Sequence, residues 1–271
     1  MNNRLVVPDE IKKHLSGDAF YMLMQMPGKA FRDVPGRKTI QVVLGEKSYF
    51  IKQHFGVGWA EIFKNLIAFK KPILGAMTEV NAIQKLNSIG IPTTPLVAYG
   101  QHGCNPATLQ SFVMTEDLGE IITLEDMCAD WQHYSESFKQ ALMQAIGELA
   151  GKLHGAGLCH RDFYLCHFVL KKQDFNSEAT SVKNLHLIDL HRMLQGQPSN
   201  SKAVMKDIAG LYFSAMQNGL STKELEIFKQ YYLPQSTAFW TQVESRARVL
   251  LTKFNSRKFQ QRLQKEQSAI R

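Results

Sequence analysis

The sequence lacks a hydrophobic run that could cross a membrane, since no segment reaches about 18 consecutive apolar residues. The N-terminal stretch MNNRLVVPDEIKKHL also lacks the apolar centre of a signal peptide, so we expect a cytoplasmic protein. Cysteines are few: four occur in 271 residues, at irregular spacing. Such usage is typical of reduced thiols and argues against a disulfide framework.

Positive charge is unevenly distributed along the chain. The formal net charge is +8, and the segment Ser245–Arg271 alone holds eight basic residues against one glutamate. We call this segment the basic tail, and we expect it to meet an acidic protein or an anionic membrane surface. Its aromatic residues, Phe254 and Phe259, are too few to stack nucleic-acid bases, so no nucleic-acid partner is expected.

Hydrophobic periodicity divides the chain into two parts. Residues 1–117 are mostly strand-like, with a hairpin turn at Gly45-Glu46 and one clear helical pattern from Met77 to Leu86. Residues 118–271 are mostly helical, with short strands at Phe168–Leu170 and Leu185–Ile188. We therefore expect an α+β protein with a β-rich N-terminal lobe and a helical C-terminal lobe.

The stretch LCHRDFYLCHF, residues 158–168, is the richest in chemically active side chains. Two adjacent pairs, Cys159-His160 and Cys166-His167, could be metal ligands. Structural zinc, however, usually draws on C-x2-4-C or H-x3-5-H pairs, and neither spacing occurs here. Buried free cysteines behave as small apolar residues, and we prefer that interpretation.

The alternative is that His160-Arg161-Asp162 is the H-R-D of a phosphotransferase catalytic loop. The tripeptide follows a long amphipathic helical pattern and precedes a short strand, as such a loop does. Asp189 ends a later apolar run, while Lys52 and Glu79 lie upstream on a strand and a helix. Each residue alone is ordinary, because a strand lysine or a helix glutamate is usually just solvated. Together, in this order, they indicate a two-lobed kinase-like fold.

Phosphoryl transfer explains why these residue types occur. It requires positioning and charge neutralisation rather than covalent chemistry. Lys52 would hold the phosphates of ATP and be fixed by Glu79, Asp189 would bind Mg²⁺, and Asp162 would accept the proton of the acceptor hydroxyl. His160 and Asp207 would support the catalytic loop, with a helix N-cap as the alternative role for Asp207.

Several parts of a protein kinase are missing. No G-x-G-x-x-G precedes Lys52, so Gly36 and Lys38 in the segment GRKT are the expected phosphate-covering residues. His167 occupies the place of the asparagine that binds a second metal, which is a poorer choice for magnesium. The A-P-E sequence is absent, and 18 positions separate Asp189 from Asp207. That leaves no room for a peptide-docking platform, so the acceptor is not expected to be a protein.

The segments HRDFYLCHF, YFIKQ, MTEDL, LHLIDLHR and KDIAGLYF together resemble the lipopolysaccharide core heptose(I) kinases of Gram-negative bacteria. The resemblance implies an ATP- and Mg²⁺-dependent transfer to a hydroxyl of the first inner-core heptose. It also implies Asp162 as the acid/base and Asp189 as the metal ligand. Lys52 with Glu79, and Glu116 of MTEDL, are the ATP-binding residues that it implies. Implied partners are a lipid-anchored acceptor at the inner face of the inner membrane and an acylated acyl carrier protein.

The segment GWAEIFKNLIAFKKP suggests one way to reach a membrane surface. On a helix its apolar residues share one face, whereas Lys64, Lys70 and Lys71 lie towards the other. Such a helix is more often packed against a protein core than seated in a membrane. Peripheral membrane contact is therefore the alternative interpretation here.

Other functions stay open at this level. The chain could be a kinase for another small acceptor, such as a Kdo sugar or an aminoglycoside, or a silent kinase-fold scaffold that binds a carrier protein. Lys52, Asp162 and Asp189 argue against a silent scaffold.

Overall fold

The computed structural model describes residues 3–67, 72–176 and 178–268, without the side chains of 179–181 and 265–268. The chain forms two compact units. Unit 1 comprises Met1–Gly119 and Ile188–Met193, and unit 2 comprises Glu120–Leu187 and Leu194–Arg271. The boundary lies two residues after the sequence-based one, and the segment that carries Asp189 belongs to unit 1.

Unit 1 is built around a six-stranded antiparallel sheet with strand order β1-β5-β6-β4-β3-β2. In chain order its elements are β1 (Arg4–Val6), α1 (Asp9–Lys12), α2 (Ala19–Gln25), β2 (Lys29–Val34), β3 (Arg37–Leu44), β4 (Lys47–His54), α3 (Gly58–Ile67), α4 (Met77–Ser88), β5 (Leu96–His102) and β6 (Gln110–Glu116).

The β3–β4 hairpin forms where the sequence predicts it. Leu44 pairs with Lys47 across the Gly45-Glu46 turn, and Gly45 adopts a φ of +64° that glycine tolerates without steric cost. The helix predicted from Met77 is α4, which ends just before Gly90. These two predictions are confirmed.

The two faces of the sheet have different roles. One face buries apolar side chains of β3, β4 and β6 against α1 and α2, with Ile40, Ile51, Phe112 and Leu23 in the same core. Because strand side chains alternate, Lys52 points to the opposite face from Ile51. That second face carries the charged residues of the candidate site.

Helices α1 and α2 were not expected. They have four and seven residues, respectively. Such lengths give at most two helical turns, too few for a period of 3.6 to be visible. Asp18 caps α2 by accepting a hydrogen bond from the backbone N–H of Tyr21 at 3.1 Å.

Helix α3 does not pack its apolar face into a core. Ile62 is buried, but Trp59, Phe63, Leu66 and Ile67 are between 51% and 79% exposed. Lys64 is also exposed and pairs with Glu61 at 3.2 Å, whereas Lys70 and Lys71 lie outside the described residues. The core-packed interpretation of this helix is therefore wrong.

Unit 2 is mostly helical, with a three-stranded antiparallel sheet in the order β7-β8-β9. Its elements are β7 (Ile121–Thr123), α5 (Leu124–Ala129), α6 (Glu136–Gly155), β8 (Phe168–Lys171), β9 (His186–Leu187), α7 (Lys202–Gln217), α8 (Thr222–Tyr231), α9 (Thr237–Phe254) and α10 (Arg257–Ser268). The expected division into a β-rich and a helical part is confirmed. Among the described helices, none is both long and apolar enough to cross a membrane.

Candidate active site

One group of candidate residues lies in unit 1, around the ammonium group of Lys52. Its Nζ lies 2.7 Å from Glu79 Oε1 and 3.7 Å from Asp189 Oδ1. Lys52 stands on β4, Glu79 in the first turn of α4, and Asp189 in the Ile188–Met193 segment. Three residues that are far apart in sequence thus meet as the kinase interpretation requires.

The electrostatics of this cluster keep Lys52 charged. Burial by itself lowers the pKa of Lys52, but the carboxylates of Glu79 and Asp189 outweigh it and raise the pKa above its usual range. Lys52 therefore presents a full positive charge in a partly buried setting, where its attraction for an anion is stronger than in water.

Asp189 is held in an unusual backbone conformation. Its φ is +62°, in the left-handed region, and its Oδ1 accepts a hydrogen bond from His191 Nδ1 at 2.6 Å. Within the described residues, the other non-glycine residue with positive φ is Arg161, at +74°, directly before Asp162. Such strain clusters at functional sites. Here it marks the expected metal ligand and the expected catalytic loop.

The other predicted nucleotide-binding residues are placed differently. Lys38 lines the same pocket as Lys52 and lies 3.7 Å from Asp33, whereas Gly36 lies in the β2–β3 turn outside that pocket. Glu116 ends β6, where its Oε1 is 3.8 Å from Lys47 Nζ. It does not line the pocket around Lys52. Of Gly36, Lys38 and Glu116, only Lys38 lines the pocket that contains Lys52.

Sequence reasoning missed three charged or titratable residues of this pocket, Arg32, His54 and His191, whereas Arg37 belongs to the GRKT segment that was predicted to cover the phosphates. The pocket has a volume of about 260 Å³. Arg37 and His54 are direct partners in the β3–β4 register, so a paired-strand alignment of GRKT against IKQH would have placed them together.

A second group of candidate residues lies in unit 2, on the loop around Asp162. The backbone carbonyl of Asp162 accepts hydrogen bonds from the Tyr164 N–H at 3.0 Å and from His167 Nδ1 at 2.5 Å. A carbonyl can only accept, so His167 carries its proton on Nδ1 and would use Nε2 to bind a metal. His160 is fully buried, and its ring stacks on that of His167 with centroids 5.3 Å apart.

Helix α7 holds this loop along one of its faces. Asp207 Oδ2 and Oδ1 accept hydrogen bonds from the backbone N–H groups of His160 at 2.5 Å and Arg161 at 2.9 Å. One turn later, Gly210 leaves room for the Tyr164 ring, which a Cβ would approach to 3.2 Å. Ser214 Oγ accepts from the Leu165 N–H at 3.1 Å. Positions 207, 210 and 214 have helical spacing, so these contacts share one face.

Asp207 is therefore a support for the loop rather than a helix N-cap. It lies within α7, and Ser201 is the residue that caps this helix. The N-cap alternative is wrong because the helix begins five residues earlier than Asp207. Asp207 also lies 3.4 Å from His154 Nε2.

A metal site at the two cysteines is not supported. Among the described residues, the potential ligands that come together in this region are His154, Cys159 and Asp207. Burial, with a smaller contribution from Asp207, raises the pKa of the Cys159 thiol to about 12. Neither Cys166 nor His167 belongs to this group, so the two Cys-His pairs do not come together as ligands within the described residues. Asp207 is already engaged by two backbone N–H groups.

Replacement of Asp207 by alanine is expected to destabilise unit 2. It removes the carboxylate that accepts hydrogen bonds from two loop N–H groups, and each buried hydrogen bond lost in this way costs about 1–3 kcal/mol. We expect the free energy of unfolding, measured by urea denaturation, to fall by about 2–6 kcal/mol, with a smaller loss for Asp207→Asn.

The control for this prediction is Asp174→Ala, which removes an exposed carboxylate from the same unit. It should leave stability within about 0.5 kcal/mol of wild type. Equal stability of Asp207→Ala and Asp174→Ala would show that the Asp207 carboxylate does not hold the loop.

Comparison with known proteins gives a consistent result. The lipopolysaccharide kinase (Kdo/WaaP) family matches residues 22–232. The lipopolysaccharide core heptose(I) kinase WaaP of Pseudomonas aeruginosa is 38% identical over 233 residues, which cover 84% of this chain and 86% of that protein. The enzyme of the same name from Escherichia coli is 37% identical over 240 residues, 85% and 90% of the two chains.

A solved structure is also similar. WaaP in complex with acyl carrier protein matches with a TM-score of 0.75 and 31% identity, and the match covers 91% of this chain and 99% of that one. The two-lobed, kinase-like fold class is confirmed. With a matching family that spans most of the sequence and relatives near 38% identity, this chain belongs to the lipopolysaccharide kinase (Kdo/WaaP) family.

Proposed function

We propose that this protein transfers a phosphoryl group from ATP to a hydroxyl of the first heptose of the lipopolysaccharide inner core. The observation that carries the proposal is the Lys52 ammonium group, held between the carboxylates of Glu79 and Asp189. This arrangement is the phosphate- and metal-binding centre of a kinase. The heptose acceptor is supported by the names of the relatives.

Each residue has a separate task in this reaction. Lys52 binds the phosphates and is oriented by Glu79, while Asp162 orients the acceptor hydroxyl and takes its proton. Asp207 accepts hydrogen bonds from the backbone of the loop that carries Asp162, and the His160 ring packs against His167. Both contacts fix this loop. Preorganised charges of this kind supply most of the rate enhancement in phosphoryl transfer.

The residues of unit 1 fit an ATP-bound magnesium ion. Asp189 offers carboxylate oxygens, the ligand type that magnesium prefers. The cationic side chains of the pocket around it would bind the phosphates that carry the ion. When bound, magnesium neutralises negative charge on the phosphates. His167 offers a nitrogen through Nε2, which suits magnesium less well.

An acceptor panel tests this function. We expect magnesium-dependent ADP release to be stimulated by lipopolysaccharide whose inner-core heptose lacks phosphate, and not by free Kdo or an aminoglycoside. If free Kdo alone stimulated ADP release, the acceptor would be a Kdo sugar and not the heptose. No turnover with any acceptor would favour a silent scaffold.

We also propose that α3 contacts the lipid surface in which the acceptor is anchored. Trp59 and Phe63 stack with ring centroids 5.8 Å apart, and both are exposed together with Leu66 and Ile67. Contiguous exposed apolar side chains of this kind mark interaction sites. Aromatic and aliphatic residues on one face of a lysine-bearing helix are typical of helices that lie in a membrane interface.

An acyl carrier protein is the proposed partner of the basic tail. Arg257 and Lys258 are exposed on α10, and the helix is attached to unit 2 through the contacts of Phe254 with Phe213 and Phe259. The side chain of Lys265 and all of Arg271 lie outside the described residues. The support is the complex formed by the similar structure, together with the charge that an acidic protein would complement.

Removing the aromatic pair of α3 should weaken lipid binding. In the double variant Trp59→Ser/Phe63→Ser we expect partition onto zwitterionic vesicles, measured by co-sedimentation, to fall about ten- to hundredfold. The fold should persist because both rings are exposed.

Two controls accompany this measurement. Val249→Ser removes an exposed apolar side chain from α9 and should change nothing. Arg257→Gln/Lys258→Gln should keep vesicle binding and lose affinity for the carrier protein at low salt. Vesicle binding by the α3 variant at the wild-type level would rule out this helix as the lipid contact.

A further inference from the structure

The pocket around Lys52 holds more positive charge than its carboxylates can balance. Four cationic residues line it, Arg32, Arg37, Lys38 and Lys52, against Glu79 and Asp189. Lys38 is partly neutralised by Asp33 at 3.7 Å. Even so, the balance favours an anionic ligand.

Arg37 and His54 lie together at one end of this charged face. They are direct cross-strand partners in the β3–β4 ladder, and Thr39 and Lys52 form the next pair on the same face. The charges of Glu79 and Asp189 both act on the Arg37 guanidinium. Arg37, His54 and Lys52 therefore face one pocket from two adjacent strands.

His54 contributes a buried polar atom that has no hydrogen-bond partner among the described residues. The residue is only 4% exposed, and its Nδ1 makes no hydrogen bond. Burial first, and then the charges of Arg37 and Lys52, lower the pKa of His54 to about 4. At neutral pH the ring is thus uncharged and offers one N–H donor without adding repulsion to the neighbouring cations. A buried polar atom without a partner is unfavourable unless a ligand satisfies it.

The β2–β3 turn cannot wrap phosphates with its backbone. Val34 pairs directly with Arg37, so the turn has only two residues, Pro35 and Gly36. It is also fixed in place: the Gly36 carbonyl accepts from the Phe55 N–H at 2.9 Å, and a Cβ on Gly36 would lie 2.5 Å from the Gly56 carbonyl oxygen. The donors that a longer glycine-rich loop would provide must come from side chains.

We propose that Arg37 and His54 bind the phosphate chain of the nucleotide, in the role that backbone N–H groups of a glycine-rich loop have in other kinases. The guanidinium provides a planar fork that matches phosphate oxygens, and the imidazole provides a single neutral donor. The proposal rests on the proposed function, because it assumes that the pocket binds a nucleoside di- or triphosphate. It assigns the phosphate contacts to residues other than Gly36 and Lys38.

The test is ADP binding measured by isothermal titration calorimetry on the full chain. We expect Arg37→Gln to weaken ADP binding about ten- to hundredfold, the usual value of a charge-assisted hydrogen bond. Competition by adenosine, which has no phosphate, should be unchanged. The matched control is Arg32→Gln, which removes the same charge from an exposed position on the same pocket and should weaken ADP binding about fivefold at most.

A second variant guards against a folding artefact. His54→Phe keeps an aromatic ring and removes the unpartnered nitrogen, so the melting temperature without ligand should not fall while ADP affinity does. ADP affinity unchanged in both variants overturns the inference and leaves the proposed function standing. Equal losses in Arg37→Gln and Arg32→Gln overturn it too, since net charge alone then explains binding. A wild-type protein that does not bind ADP overturns the proposed function and this inference with it.

Discussion

Asp162→Asn is expected to lower turnover by about 10²–10⁴ and to leave the fold intact. The amide cannot accept the proton of the acceptor hydroxyl, which is the task assigned to the carboxylate. Stability should persist because the hydrogen bonds from Tyr164 and His167 go to the backbone carbonyl of residue 162, which the substitution retains. Steady-state kinetics and thermal denaturation measure the two effects separately.

The matched control is Asp174→Asn, which makes the same substitution at an exposed carboxylate of unit 2. It should be indistinguishable from wild type. If Asp162→Asn turned over ATP at a rate near that of wild type, Asp162 would not be the acid/base and the LCHRDFYLCHF loop would need another role.

Asp189→Asn should remove magnesium-dependent activity, with a loss of about 10³-fold or more. The negative charge of Asp189 lies beside Lys52, and an amide oxygen is a much weaker partner for a divalent cation. The backbone should tolerate the change, since asparagine is among the residues that best accept the positive φ of this position. His191 can still donate its Nδ1 proton to the amide oxygen.

The assay for Asp189→Asn combines a magnesium titration of activity with a melting curve of the protein without ligand. We expect a flat titration and a melting temperature close to that of wild type. The reverse result, a large loss of stability with activity retained, would identify Asp189 as a structural carboxylate.

Much of the fold could be predicted because its signals are local. The β3–β4 hairpin follows from Gly45-Glu46 between two β-rich runs, and α6 follows from apolar spacing along its 20 residues. The order of Lys52, Glu79, Asp162 and Asp189 can likewise be recognised once strands and helices have been predicted along the sequence. The hairpin and the helix depend on neighbours within a few residues, and the order of the site residues is given by the sequence itself.

The other parts of the fold and of the candidate site depend on contacts that sequence periodicity does not describe. Arg37 meets His54 only through strand register, and Ile188–Met193 belongs to unit 1 although its flanking residues belong to unit 2. Periodicity shows that Trp59 and Phe63 share a helix face, but it does not show what covers that face. The support that Asp207 gives to the catalytic loop was predicted, but only the structure separates this role from that of a helix N-cap.

Transfer of radiolabelled phosphate from ATP is the decisive test of whether this protein phosphorylates the first inner-core heptose through Asp162. The acceptors are lipopolysaccharide whose inner-core heptose lacks phosphate and a truncated form that ends at Kdo, each offered to wild type and to Asp162→Asn with magnesium present. We expect label on the first heptose with wild type alone, and none on the truncated acceptor. Label on the truncated acceptor, or equal labelling of heptose by Asp162→Asn, would contradict this expectation.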